Sequence, residues 1–170
     1  MRLRLAWCAV TTLFSIYVPL PSKASDRCIR TTSTVEDGAR LSRGRYLVQI
    51  TGCNDCHTPS YTERAGKVAD SAWLTGSPLG FRGPWGTTYA TNLRLMISQM
   101  SEAQWVHTAH TVVARAPMPS FTLHEMTARD LEDIYRFVRH LGATGKTAPD
   151  YLPPEREPPP PYVLYPGVKS

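Results

Sequence analysis

The sequence predicts an all-α fold: three main helices joined by long loops, followed by a proline-rich C-terminal tail. Three observations carry that reading. Three segments place apolar residues at helical spacing behind recognisable N-terminal caps. No segment sustains the two-residue alternation of a half-buried strand, and the stretch between the first two helices is rich in glycine and proline.

The first helix is expected over residues 37–51. Thr34-Val35-Glu36-Asp37 resembles a capping box with a shorter acid, and Leu41, Leu47, Val48 and Thr51 continue as an apolar stripe. Gly44 sits on that stripe, where a missing side chain lets another helix approach closely. The helix delivers Cys53 just past its end. Residues 58–92, including "GSPLGFRGPWGTTYATNL", then form a connection too long to be common in a small domain, unless it wraps something large and apolar.

The second helix starts at Ser101, with Gln104 completing a capping box, and stops before Pro117. Ala103, Val106, His110 and Val113 repeat at helical spacing, while Trp105 and Val112 point elsewhere. The third helix is capped by Thr127 with Asp130 three residues on. Leu131, Ile134, Tyr135, Val138 and Leu141 make its apolar face. Arg139 and His140 suit the negative end of the helix dipole, and Gly142 ends the helix. Residues 149–170 contain eight prolines and predict polyproline conformation. Tyr151, Leu152, Tyr162, Val163, Leu164 and Tyr165 imply that parts of this tail pack, on the core or on a partner.

The N-terminus reads as an export signal. Arg2 and Arg4 precede an apolar run over residues 5–18, and Ser22-Lys23-Ala24 supplies small residues at the cleavage positions. The run is shorter than the roughly 20 residues of a membrane-spanning helix. Cleavage after Ala24 divides the chain into a signal peptide (1–24), an N-terminal extension (25–36), a domain (37–148) and the tail (149–170), and predicts a periplasmic protein. The formal charge of +5 comes from 19 basic and 14 acidic residues. Without Arg2, Arg4 and Lys23 the balance is 16 against 14, which leaves no case for a nucleic-acid surface. Cys8 leaves with the signal. Cys28, Cys53 and Cys56 remain, an odd number that cannot all pair internally.

The chemistry-bearing motif is "TGCNDCHTPS", residues 51–60. A structural zinc site needs four ligands, whereas Cys53, Cys56 and His57 supply three at most, and the chain has no second Cys-x-x-Cys. A thioredoxin-like dithiol would follow a strand, whereas this pair follows a helix. Covalent haem accounts for every position. Cys53 and Cys56 would each bond one porphyrin vinyl group, and His57 would be held beneath the iron as the proximal ligand. One haem c per chain is therefore expected.

Met118 is the expected sixth ligand, because Pro117 and Pro119 hold it in a stiff, extended segment outside any helical stripe. Met96, Met100 and Met126 read as packing residues, and His107, His110 and His124 as surface or edge residues.

Gly44, "CNDCH", "MPSF" and the closing helix "ARDLEDIYRFVRHL" together resemble a monohaem class I cytochrome c over residues 37–142. The "WGTTYATNL" stretch, followed by Trp105 and Met118, is similar to domains in the cytochrome subunits of periplasmic quinoprotein alcohol dehydrogenases. Those subunits carry several haem motifs and this chain has one. The resemblance implies that the first and last helices cross, with Gly44 and Val48 against Leu131 or Tyr135. It implies Trp85, Tyr89 and Trp105 as haem-pocket lining, with Arg82 or Asn92 near the propionates.

It also implies electron transfer rather than catalysis, from a periplasmic dehydrogenase as donor to an oxidase or another cytochrome as acceptor. Membrane proximity would come through that partner or through an uncleaved signal. The alternative is a haem enzyme, a peroxidase or small-substrate oxidoreductase, with a displaceable sixth ligand.

Overall fold

A computed structural model describes residues 23–167, with side chains from Thr34 onward. The expected signal peptide lies almost wholly outside that range, as does the side chain of Cys28. Among the described residues, no helix is long and apolar enough to cross a membrane.

The first helix, α1 (Lys23–Ile50), begins well before residue 37. The expected cap at Thr34 is an interior turn of α1. A capping sequence stops a helix only where the preceding residues resist helical geometry, and no Pro or Gly falls between Lys23 and Asp37. After it come α2 (Cys53–His57), a 3₁₀ turn (Asp70–Ala72), β1 (Gly80–Gly83), β2 (Gly86–Tyr89), α3 (Leu93–Ser98), α4 (Glu102–Thr111), α5 (Ser120–His124), α6 (Ala128–Leu141) and β3 (Tyr162–Leu164).

The fold is therefore mixed α/β, not all-α. The three strands form one sheet in the order β2-β1-β3, with β1 antiparallel to β2 and parallel to β3. Two predictions are corrected here. The 58–92 connection contains a hairpin, closed by Pro84 and Trp85, in which Gly80 faces Tyr89 and Gly83 faces Gly86. The tail is not simply polyproline: it returns to the sheet as β3, and Leu152 forms a bridge with Thr87. Strands of three or four residues give periodicity almost nothing to register, and proline runs mask the short apolar segment between them. Gly86 has a left-handed backbone (φ 95°), and a Cβ there would meet the tail at Tyr151.

Helices α1 and α6 meet at Gly44. A Cβ at this position would collide with the backbone carbonyl of Asp133 and lie 2.8 Å from Phe137 Cβ. The close crossing expected of Gly44 is present, but its partners are Asp133 and Phe137 rather than Leu131 or Tyr135. Val48, Leu131, Ile134, Phe137 and Val138 are buried in the common core. Charged pairs flank the crossing: Arg40 binds both Asp133 and Glu132, and Arg43 donates to Asp130 over 2.8 Å.

The Thr127 hydroxyl accepts from Asp130 N, and Gly142 closes α6 with positive φ, as the cap signals predict. Ser101 and Gln104 form the predicted capping box of α4. The buried face of α4 differs from the expected stripe. Trp105 and Ala109 are buried, whereas Ala103 is exposed and Val113 is 91% exposed. The indole decides the face, because Trp105 offers more apolar surface than the stripe residues and its Nε1 donates to Leu131 O of α6 at 2.9 Å.

Candidate functional site

The motif forms a helical turn of its own. α1 stops at Ile50, where Thr51 N and Oγ1 both donate to Leu47 O, and Gly52 takes a left-handed backbone (φ 73°). That bend starts α2, so Cys53, Cys56 and His57 share one short helix. Both cysteines are free and half-buried, with Thr51 Oγ1 3.3 Å from Cys53 Sγ. Burial pushes both thiols above their usual pKa. Among the described residues, these side chains do not converge as a group that could hold one ion.

His57 is buried, and its Nδ1 lies 2.7 Å from Thr91 O. A carbonyl can only accept, so Nδ1 carries the proton and Nε2 keeps its lone pair. Nε2 has no partner among the described residues. Burial pushes the imidazole pKa down, opposed by the Thr91 bond, so the ring is neutral at pH 7.

A buried network fixes α2 beneath this histidine. Thr58 Oγ1 donates to Asn54 Oδ1 at 2.7 Å and accepts from Leu74 N at 2.8 Å, while Gly76 N donates to His57 O at 2.8 Å. Asn54 is fully buried, and its Nδ2 has no partner.

Met118 lies between α4 and α5. The expected extended segment is instead a turn: Met118 N donates to Arg115 O at 3.2 Å, and Ser120 N donates to Met118 O at 2.9 Å. The segment around Met118 therefore reverses direction instead of running extended. The turn is tied to β2 by Thr88 Oγ1, which donates to Ala116 O at 2.9 Å. Thr88 and Thr91 are three residues apart, about 10 Å along an extended chain. One short segment therefore anchors both His57 and the Met118 turn. The Met118 side chain is 37% exposed, with exposed Val113 and Phe121 nearby in sequence.

The expected lining residues are scattered. Trp105 is a core residue bonded to α6. Trp85 packs edge-on against Tyr165, with centroids 5.3 Å apart, and its buried Nε1 has no partner. Tyr89 is half-buried at the end of β2, across from Gly80. The two residues expected near a propionate both have partners within the chain. Asn92 caps α3 through Leu95 N and donates both amide hydrogens, to Thr144 O and Lys146 O. Arg82 directs Nη1 to Arg156 O in the tail.

Met96 and Met126 pack against the core, and His110 and His124 bond backbone carbonyls, in line with their expected packing and edge roles. A groove lined by Glu102, Ala103, Val106, His107, His110 and Glu132 contains none of the predicted site residues.

Thr58, Thr88 and Thr91 were not legible as site residues. Each acts through a backbone or amide contact across a long sequence separation, for which the sequence carries no motif. Comparison with protein-family models, curated proteins and solved structures gives no match to this chain.

Proposed function

We propose that this chain is an exported electron-transfer protein that would hold one covalently attached haem c, with Cys53 and Cys56 as its thioether anchors and His57 and Met118 as the residues that would ligate its iron. The observation that carries the proposal is the state of His57. It is buried and neutral, with Nδ1 committed to Thr91 O and Nε2 free, one residue beyond the second of two unpaired cysteines. An oriented imidazole with one nitrogen spent on a carbonyl is the usual outer-shell arrangement of a metal-ligating histidine. The common anchorage of the His57 and Met118 segments at Thr91 and Thr88 supports pairing them on one centre.

Haem bound in this way supplies reversible one-electron chemistry. The residues contribute position and tuning. Thr91 holds the imidazole in the required tautomer, Thr58 holds α2 against the Leu74 backbone, and Met118 supplies a soft thioether that favours the reduced state over a second nitrogen. A small transient encounter with a dehydrogenase on one side, and with an oxidase or another cytochrome on the other, suits this role. The 37% exposure of Met118 favours one second reading, a haem enzyme whose sixth ligand yields to a small substrate.

The proposal is tested by expressing the chain with a periplasmic haem-attachment system and measuring haem absorbance that stays with the chain after denaturation and acid-acetone extraction. Haem should stay with the native sequence and be absent from the Cys53→Ala, Cys56→Ala double variant. A wild-type chain that releases all its haem would overturn the attachment.

A further inference from the structure

The C-terminal tail clasps the hairpin at several points. Thr87 and Leu152 exchange backbone hydrogen bonds of 2.7 and 3.0 Å, and Tyr151 Oη donates to Trp85 O at 2.9 Å. Further along, Gly80 N donates to Pro161 O, and Tyr165 N donates to Arg82 O at 2.8 Å. Tyr151 also makes a contact that leaves the sheet: the Arg115 guanidinium lies over its ring, 4.2 Å from the centroid. Arg115 is the residue whose carbonyl accepts from Met118 N. The Met118 turn is thus held from two directions, by Thr88 from β2 and by Tyr151 from the tail.

We propose that Tyr151 and Arg115 are positioning residues for the sixth ligand, so that the tail holds Met118 in place as well as completing the sheet. This rests on the His57/Met118 reading. The Tyr151 ring is itself fixed at its hydroxyl end by Trp85 O and at its backbone by the neighbouring Leu152 pair. It therefore offers Arg115 a rigid π-face, and the contact limits how far the 115–118 turn can swing. Without it, Thr88 Oγ1 to Ala116 O is the remaining side-chain restraint among those described for residues 115–118.

Exogenous imidazole is the probe. It competes with Met118 for the iron, so its apparent affinity rises with the fraction of molecules in which the thioether is off. Tyr151→Ala and Arg115→Ala should each bind imidazole about threefold more tightly than wild type, the ratio expected for one exposed cation–π contact. Tyr151→Phe keeps the π-face and should match wild type.

Arg115 is exposed, so its variant tests the contact even if Tyr151→Ala folds poorly, and its thermal midpoint should fall by no more than about 2 °C. Wild-type imidazole affinity in Arg115→Ala, with Met118→Ala clearly tighter, would overturn the positioning role and leave the haem reading standing. If Met118→Ala itself binds imidazole no more tightly than wild type, Met118 is not the ligand, and both proposals fall together.

Discussion

At the residue scale, Thr58 shows how the candidate centre is held. Its hydroxyl serves Asn54 Oδ1 and Leu74 N at once, and both Thr58 and Asn54 are buried. Thr58→Val keeps the shape and removes both bonds, leaving a buried carbonyl and a buried N–H unpaired. The expected cost is about 1–3 kcal/mol, read by denaturant unfolding, well above that of an ordinary surface substitution. Cys53, Cys56 and His57 stand out in the sequence because they fall within five residues, and the structure keeps those five on one short helix. Thr91, which fixes the His57 tautomer, was not legible, because any residue there offers the same carbonyl and only the folded chain brings it within 2.7 Å. Asn92 shows what sequence leaves open: its amide caps α3 and ties down the Thr144–Lys146 backbone, contacts that only the folded chain reveals.

At the scale of elements, the α1–α6 crossing was foreseen through Gly44 and the amphipathic pattern of α6, since both follow from helical period. Gly44→Ala should destabilise by about 1–3 kcal/mol, because a Cβ there meets the Asp133 backbone and the helices must part. A thermal melt checks this, and a wild-type midpoint would contradict the close contact. The same crossing carries a pH dependence. The Arg43 hydrogen bond, aided by Thr127, holds the Asp130 carboxyl below its usual pKa. A carboxyl depressed in the folded state contributes stability that is fully present above its unfolded pKa and is lost as pH falls through the folded one. Stability should thus decline below about pH 4, less steeply in Asp130→Asn, as measured by urea midpoints across pH. The strands were hidden at this scale, because β1, β2 and β3 are stabilised by one another and by the tail rather than by any pattern within themselves.

At the scale of the whole molecule, the chain closes on itself. Residues 149–167 complete a sheet whose β2 exit anchors the candidate centre, so the tail and the site share one support. Truncation after Ala148 removes β3 and the two Thr87–Leu152 bonds. It also removes the bonds from Tyr151, Pro161 and Tyr165 to the hairpin and the Trp85–Tyr165 packing, so the thermal midpoint should fall by at least several degrees. An unchanged midpoint would mean that the tail packs without supporting the fold.

The central claim, one haem between His57 and Met118 for electron transfer, is tested most directly by the absorption spectrum of the oxidised protein. The account predicts a weak far-red band characteristic of Met-ligated ferric haem, abolished in Met118→Ala while the haem stays covalently attached. A haem-loaded wild-type protein without that band, or a Met118→Ala variant that keeps it, would contradict the account.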